Sequence, residues 1–397
     1  MDSEVVIVSA VRTPIGRFGG TLSEVPAPEL GAVVIKNAVE RAKIPINLIN
    51  EVYMGCVLQA GLGQNPSRQA AMKAGLKQEI PAFTLNVVCG SGLEAVNMAA
   101  LSIRSGNAEV AVAGGMENMS AAPYILPKAR FGFRMNDGLV KDTMIQDALW
   151  DAYFNYHMGM TAENIAARYK ISRQEQDSFA VESQMKCETA RNQGRFKDEL
   201  IPIQVYQKKK EILFAEDEFP RNGVTVDSIS HLQPSFKEGG TVTAGNASGI
   251  NDGAAAVVLM RSDKAKELGI HPMARILAGS AVGVDPSVMG LGAGKAALTV
   301  MNKLNLTADD MTLIEANEAF ASQSIACARM AGWDSGSNRR KVNVNGGSIA
   351  LGHPVGASGC RILVTLLHEL KKRGGGLGLA SLCVGGGMGI ATIVEGL

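Results

Sequence analysis

Short apolar runs alternate with longer amphipathic segments along this chain. Val5 to Val11 is apolar except for Ser9, which is the pattern of a buried strand. Glu29 to Arg41 and Gly294 to Leu304 place their apolar residues at helical spacing instead. Alternation of strands with helices is typical of βαβ units, so the sequence predicts an α/β protein whose sheets are mixed and mainly parallel.

The pattern of the first third of the chain recurs in the last third. Four segments reappear in the same order about 270 positions later, which indicates a duplicated unit. The paired segments are Glu4 to Ala10 with Ala274 to Ser280, Glu51 to Val57 with Met311 to Asn317, Ser91-Gly92 with Ser358-Gly359, and Val110 to Met116 with Leu382 to Met388.

The two copies divide the chain into three parts. We expect an N-terminal half over residues 1–120, an inserted loop domain over 121–264 and a C-terminal half over 265–397. The insert contains an amphipathic stretch from Ala162 to Gly194, which predicts helix. Near the end of the insert we expect the chain to return to the N-terminal half.

Charge and composition exclude several classes of binding partner. Lys and Arg total 39 against 38 Asp and Glu, a net charge of +1, so no excess of positive charge is available for nucleic acid or an anionic membrane. No apolar run approaches the roughly 18 residues of a membrane span, and the first residues lack the basic segment of a signal peptide. We therefore expect a cytoplasmic protein, although a mitochondrial protein that had lost its presequence would show the same pattern.

The six cysteines include no CxxC pair and no Cys/His spacing that resembles a zinc site, so we expect reduced thiols and no metal. Cys89 lies in Asn86-Val-Val-Cys-Gly-Ser-Gly92, directly before a predicted helix. The positive end of a helix lowers a thiol pKa and favours the nucleophilic thiolate. The alternative interpretation is a small buried apolar residue, which is the usual role of a free cysteine.

Histidines that could serve as a base for such a thiol are few. His353 lies in the glycine-rich segment Asn345 to Gly359, which again precedes a predicted helix. If the two halves are equivalent, the Ser91-Gly92 and Ser358-Gly359 turns place Cys89 and His353 at one site. The alternative is a structural histidine with its hydrogen bonds satisfied.

Two further residues follow apolar strands and therefore fall where α/β sheets bind ligands. Cys383 is either a second acid/base or a packed core residue, and the glycines after it expose N–H groups suited to an oxyanion hole. Asn317 could orient a water or polarise a carbonyl, or it could cap a helix.

Two nucleotide-binding patterns fail on inspection. In Gly290-Leu-Gly-Ala-Gly-Lys295 the first glycine of a phosphate loop is replaced by Met289 and the hydroxyl position by Ala296. The same glycines lack the preceding strand and third glycine of a dinucleotide fingerprint, so nicotinamide binding is not expected.

Four ordered motifs resemble the signatures of the thiolase family over essentially the whole chain. They are Asn86-x-x-Cys89-x-Ser-Gly92, Asn317-Glu-Ala-Phe320, Gly352-His-Pro-x-Gly-Ala-Ser-Gly359 and Cys383-x-Gly385. His157-Met-Gly159, Thr161-Ala-Glu-Asn164 and Thr243 to Asp252 are similar to the short-chain, acetoacetyl-CoA-forming branch. The resemblance implies duplicated βαβ halves that form a layered αβαβα core with an inserted loop domain.

The resemblance also implies an activity and a set of roles. Cys89 would take the acetyl group of one acetyl-CoA while His353 accepts its proton, and Cys383 would remove the α-proton of a second acetyl-CoA. One oxyanion would be held by His353 with a water on Asn317, and the other by the N–H groups of Cys89 and Gly385. No cofactor would be needed beyond the coenzyme A of substrate and product, and the assembly would be a homotetramer.

Substrate contacts follow from the resemblance position by position. Those expected around the acyl end and the pantetheine arm are Leu149, His157, Met158, Ala244, Ser248 and Phe320, and those at the nucleotide end are Arg221, Ser228 and Phe236. Gln233 stands where the family commonly has Lys or Arg, and His231 where it commonly has Lys or a small residue, which leaves the charge around the CoA phosphates open. Ser348 stands where alanine is common, and we expect that change to be harmless.

Three other functions stay open at this point. A degradative thiolase for longer 3-ketoacyl-CoA chains shares all four motifs. A catalytically silent lipid-carrier relative would be expected to lose one of them, and a ketoacyl synthase would be expected to have a second histidine where Cys383 stands.

Overall fold

The computed structural model describes residues 4–207 and 210–397. The strands are β1 (Val5–Arg12), β2 (Gly16–Arg17), β3 (Glu51–Gly55), β4 (Ala82–Leu85), β5 (Val110–Asn118), β6 (Tyr124–Ile125), β7 (Lys141–Asp142), β8 (Ile203–Gln207), β9 (Lys210–Phe214), β10 (Asn251–Arg261), β11 (Ala274–Gly283), β12 (Leu313–Ala316), β13 (Gly376–Val384) and β14 (Met388–Gly396).

The helices alternate with these strands. They are α1 (Ala27–Ala42), α2 (Pro66–Lys73), α3 (Ser91–Arg104), α4 (Met158–Tyr169), α5 (Arg173–Asn192), α6 (Val226–Ser230), α7 (Ser262–Glu267), α8 (Gly292–Lys303), α9 (Ala321–Ala331), α10 (Gly336–Arg339), α11 (Ser348–Leu351) and α12 (Val355–Lys372). Within the described ranges, none of them is both long and apolar enough to cross a membrane.

Each half of the chain builds a sheet, and the two sheets join edge to edge through β1 and β11. The N-terminal half contributes the strand order β1-β10-β5-β3-β4 and the C-terminal half the order β11-β14-β13-β12. The halves meet where β1 and β11 pair antiparallel, with Val6 opposite Arg275. Each half therefore builds its own sheet around the same seam, as a duplication predicts.

The expectation of mainly parallel sheets is wrong. Only β3 with β4, β3 with β5 and β12 with β13 run parallel among the named strands of the described chain. β10 and β14 run antiparallel to both neighbours. No helical crossover leads into either strand, because β10 follows the insert and β14 follows the turn Gly385 to Gly387. The alternation of strands and helices along the sequence therefore does not predict the direction of these two strands.

The layers confirm the predicted α/β class and the αβαβα core. α1 and α2 pack on the outer face of the N-terminal sheet, and α8 and α9 on the outer face of the C-terminal sheet. α3 and α12 lie together between the sheets. A Cβ on Gly92 would come within 2.9 Å of the Cys360 nitrogen, and one on Gly359 within 2.5 Å of the Leu93 nitrogen, so these glycines let the two central helices touch.

One of the four paired segments is not structurally equivalent in detail. Gly114 and Gly115 lie inside β5, where a Cβ on Gly114 would come within 2.0 Å of the Ala255 carbonyl oxygen. In the second copy the glycines form the turn between β13 and β14, and Gly386 and Gly387 have positive φ. The same residue types thus serve close strand packing in one half and chain reversal in the other.

The insert is built from helices and short hairpins. The amphipathic stretch from Ala162 to Gly194 forms the second part of α4 and the whole of α5. α4 ends at its cap Lys170, which lies in the left-handed region, and α5 begins after the cap Ser172. β10 then carries the chain back between β1 and β5 of the N-terminal half.

Candidate active site

A cavity of about 660 Å³ opens where both halves and the insert meet. Most of the residues singled out from the sequence line it, namely Cys89, Leu149, His157, Met158, Arg221, Phe236, Ala244, Ser248, Phe320, His353 and Gly385. Cys383 and Asn317 are buried at the ends of β13 and β12. Ser228 instead forms a capping box with Thr225 at the start of α6, where it is exposed.

Cys89 lies in a tight turn between β4 and α3. Val88, just before it, has φ of +46°, a left-handed conformation that is strained for a β-branched residue. The Ser91 hydroxyl donates to the Val88 carbonyl at 2.6 Å and accepts from the Val87 N–H at 3.0 Å, which holds the turn closed. A Cβ on Gly90 would come within 2.4 Å of Ile390, so only glycine lets the turn pack onto β14.

The thiol of Cys89 is protonated at neutral pH. Burial raises its pKa to about 11, against the opposing effect of the nearby N–H groups of Gly385 and of Cys89 itself. The expectation that the helix end would lower this pKa is wrong, because loss of water around the sulfur outweighs the amide dipoles. A base must accept the proton when Cys89 attacks, and the two amides are already placed where negative charge develops.

His353 is held as a neutral base. Its backbone N–H donates to the Asn251 side-chain oxygen at 2.9 Å, and its Nδ1 lies 2.6 Å from the Ser358 hydroxyl oxygen. Because the Ser358 hydroxyl also lies 2.8 Å from the Pro354 carbonyl oxygen and can donate its proton there, we assign the ring proton of His353 to Nδ1. Nε2 then has the free lone pair, and it is buried without a hydrogen-bond partner among the residues described. Burial, assisted by Arg361, lowers the His353 pKa to about 4.

Cys383 is the penultimate residue of β13, just before the turn that begins at Gly385. It is fully buried. Burial and the neighbouring Cys89 raise its pKa well above the ordinary value of a thiol. A thiolate formed there is a strong base, since basicity rises with the pKa of the conjugate acid.

Asn317 follows β12 and is almost fully buried. Its backbone N–H donates to the Ser381 carbonyl, and its side-chain oxygen accepts from the Ser348 hydroxyl at 2.5 Å. The Nδ2 group has no hydrogen-bond partner in the described part of the chain. The helix-cap interpretation is wrong, because α9 begins at Ala321 with Phe320 as its cap.

Two site-building residues escaped the sequence analysis. The Glu117 carboxylate accepts N–H groups from Val57, Leu58 and Gly356 at 2.9–3.1 Å, so it ties the loop that carries His353 to the N-terminal half. Burial raises the Glu117 pKa to about 7. Asn251 bridges the His353 backbone and the Gly16 carbonyl. A polar residue at the end of a long apolar strand was the available signal for both.

Aromatic rings form the wall of the cavity on the insert side. His157 stacks on Phe236 with ring centroids 4.5 Å apart, and Phe320 meets Phe236 edge-on at 6.2 Å. A Cβ on Gly159 would come within 2.2 Å of the Phe236 ring, so this stack depends on glycine. Near the mouth, the Arg221 guanidinium lies 5.9 Å from the Phe219 ring centre.

The described residues offer no coordination site for a metal ion. No group of three or more His, Cys, Asp or Glu side chains within residues 4–207 and 210–397 could hold a metal ion. All six cysteines are free thiols.

Comparison with known proteins places this geometry in a family. The family model described as "Thiolase, N-terminal domain" matches residues 5–263, and the model described as "Thiolase, C-terminal domain" matches residues 270–396. An acetyl-CoA acetyltransferase of Cupriavidus necator is 58% identical over 394 residues, with 99% of each chain covered. One of Syntrophomonas wolfei is 55% identical over the full length of both chains.

A solved structure gives the same answer. The crystal structure of the Bacillus anthracis acetyl-CoA acetyltransferase superposes with a TM-score of 0.97 at 44% identity and covers 100% of this chain and 99% of its own. Two family models that together span nearly the whole sequence, relatives of this identity and a shared fold leave one conclusion: the chain belongs to the thiolase family.

Proposed function

We propose that this protein is an acetyl-CoA acetyltransferase, which condenses two molecules of acetyl-CoA to acetoacetyl-CoA and CoA and catalyses the reverse thiolysis. The observation that carries the proposal is the arrangement around one sulfur. The Cys89 sulfur has the N–H groups of Gly385 and of Cys89 itself nearby, and Cys89 lines the same cavity as His353, whose Nε2 lone pair is free of protein partners in the described chain. The names of the full-length relatives support the same activity.

The first half-reaction acetylates Cys89. The sulfur attacks the thioester carbonyl while its proton moves to His353 Nε2, and the N–H groups of Cys89 and Gly385 stabilise the tetrahedral oxyanion. When the carbon–sulfur bond to CoA breaks, the leaving thiolate takes the proton back from His353. A neutral His353 with a lowered pKa suits both transfers, because it accepts and releases the proton without holding it.

The second half-reaction forms the carbon–carbon bond. Cys383 first loses its thiol proton to solvent, and the resulting thiolate removes an α-proton from a second acetyl-CoA, whose carbanion attacks the acetyl group on Cys89. The bond between that acetyl group and sulfur breaks, Cys89 leaves as thiolate, and the proton on Cys383 passes to it. Burial makes the Cys383 thiolate a strong base, which an α-hydrogen of a thioester requires.

Short acyl groups fit this cavity best. Met158 is buried at the base of the insert wall, and the stacked His157 and Phe236 rings close the space beside it. Bulk at these positions leaves room for a two-carbon group and obstructs a longer chain. A degradative thiolase for longer chains is the second candidate, and chain-length preference separates the two.

Assembly and location complete the proposal. Phe131 and Met135 on the insert are 90% and 85% exposed, and apolar residues so exposed on one segment support self-association, here as a homotetramer. We propose no cofactor, since substrate sulfur and side-chain acids and bases perform each step. We also propose a cytoplasmic enzyme with no nucleic-acid or membrane partner.

Thiolysis of acetoacetyl-CoA against a 3-ketoacyl-CoA of eight or more carbons tests the proposal. We expect a strong preference for acetoacetyl-CoA and its loss in Cys89→Ala. Equal rates on both substrates would assign the protein to the degradative group, and no activity on either would overturn the proposal.

A further inference from the structure

Ser348, the residue expected to be harmless, makes a contact inside the site. Its side chain is fully buried at the start of α11. The hydroxyl donates to the Asn317 side-chain oxygen at 2.5 Å and accepts from Arg361 Nη2 at 3.3 Å. A chain of hydrogen bonds therefore runs from a buried guanidinium through a hydroxyl to the carboxamide of Asn317.

The carboxamide of Asn317 can face this hydroxyl in two ways. With the oxygen toward Ser348, the serine proton has an acceptor and Nδ2 points elsewhere as a donor. With the amide flipped, Nδ2 would face Ser348, and the serine proton would have no acceptor among the residues described, which is unfavourable for a buried group.

Arg361 strengthens that preference. Its guanidinium donates to the Ser348 oxygen and cannot accept, so the serine must turn its own proton toward Asn317. A positively charged donor at the far end also polarises the chain, which makes each hydrogen bond along it stronger. Alanine at position 348 would supply neither effect.

We infer that Ser348, with Arg361 behind it, is a positioning residue that fixes the Asn317 carboxamide with its NH₂ group turned toward the reacting thioester. The inference rests on the proposed function and adds to it a residue that acts through Asn317. The catalytic groups stay those that touch the substrate.

The two oxyanion sites make the inference specific to one half-reaction. The N–H groups of Cys89 and Gly385 lie near the Cys89 sulfur, so they serve adducts on that sulfur. Asn317 and His353 then serve the carbonyl of the second acetyl-CoA, whose α-carbon Cys383 deprotonates. Loss of the Ser348 hydroxyl should therefore slow α-proton exchange and spare the acetylation of Cys89.

The test measures both partial reactions in Ser348→Ala and in the wild type. One assay follows exchange of the acetyl-CoA α-protons with deuterated water, and the other follows acetyl transfer to Cys89 by intact mass after rapid quenching. We expect exchange to fall about tenfold, less than the 10²–10³ lost with a whole oxyanion donor. Acetylation of Cys89 should stay within about twofold of the wild-type rate.

Two comparisons separate positioning from a general loss of packing. Ser322→Ala is the matched control, because Ser322 is equally buried and its hydroxyl donates to the Ala162 carbonyl at 3.0 Å. It should leave both partial reactions unchanged. In an Asn317→Ala background, Ser348→Ala should cause no further loss of exchange, since its effect passes through Asn317.

The outcomes are distinguishable from failure of the proposed function. If the wild type neither acetylates Cys89 nor exchanges α-protons, the proposed function falls. If the wild type does both and Ser348→Ala matches it, or loses both reactions equally, or adds a further loss to Asn317→Ala, the positioning role is overturned.

Discussion

Protonation of three side chains controls the chemistry at the scale of single residues. Cys89 and Cys383 are held as thiols by burial, and His353 is held neutral by burial and by the Arg361 charge. The site therefore starts with its protons on sulfur and its one imidazole ready to accept. This is the reverse of the thiolate–imidazolium pair found where a helix end or a cation dominates a cysteine.

A pH profile tests the His353 assignment. The pKa of His353 lies at about 4, below its ordinary value, so the imidazole stays unprotonated through the mildly acidic range. We expect the acid limb of kcat/KM for acetoacetyl-CoA to fall below pH 5, provided that the Tm shows the protein still folded there. A limb centred near the ordinary histidine value of about 6.5 would show that His353 is not held as described.

The same shift has a consequence for stability. Because the folded-state pKa is lowered, the unfolded chain binds a proton at His353 before the folded chain does. The contribution of this group is therefore present above about pH 6.5 and is lost as the pH falls toward about 4.

The sequence predicted the residues at this scale better than their states. Cys89, His353, Cys383 and Asn317 stand out because each follows a strand or a glycine-rich turn. The pKa directions depend on burial by parts of the chain hundreds of positions away, which local patterns do not contain. The role of Ser348 depends in the same way on its distance from Asn317 in space.

Close contact between the two central helices positions the site at the scale of elements. α3 carries Cys89 at its start and α12 follows His353, and the helices touch through Gly92 and Gly359. Any increase in their separation moves the thiol away from the imidazole.

Gly359→Ala tests that dependence. The new methyl group would meet the Leu93 backbone nitrogen at 2.5 Å, and backbone cannot move aside as a flexible side chain can. We expect the free energy of unfolding to fall by about 1–3 kcal/mol, with a lower Tm and a reduced kcat.

Gly283→Ala is the control for this substitution. Within the part of the chain that the structure describes, nothing lies within 4 Å of a Cβ at Gly283. Its Tm should match that of the wild type. A Gly359→Ala variant with unchanged Tm and unchanged kcat would show that the helix contact does not set the site geometry.

The directions of the strands could not be predicted from the sequence. β10 and β14 read as ordinary apolar runs, and their antiparallel pairing follows from where the chain enters each strand. The chain enters β10 from the insert and β14 from the three-glycine turn, so the sequence pattern did not show the direction of either strand. The duplication was predicted from the sequence pattern, whereas the αβαβα order was predicted only through the resemblance to the thiolase family.

Duplication explains the site at the scale of the whole molecule. One half supplies the nucleophile, the other supplies the base and the second thiol, and the insert covers both with the aromatic wall. Glu117 ties the halves together by accepting N–H groups from both sides of the cavity. A single half would carry only part of the chemistry.

The exposed apolar segment of the insert predicts assembly. Replacing Phe131 and Met135 by serine removes the two most exposed large apolar side chains there, so we expect a smaller species by size-exclusion chromatography with light scattering. Met185→Ser, at an exposed position on α5, should leave the mass unchanged. Equal masses for the double variant and the wild type would exclude this segment as the interface.

The acetylated enzyme is the most direct test of the central claim. Protein mixed with acetyl-CoA, quenched in acid and digested should carry one acetyl group on the peptide that contains Cys89, and Cys89→Ala should carry none. His353→Ala should form the adduct more slowly, because the thiol then has no base to accept its proton. An acetyl group found on Cys383, or turnover without any adduct on Cys89, would contradict the account.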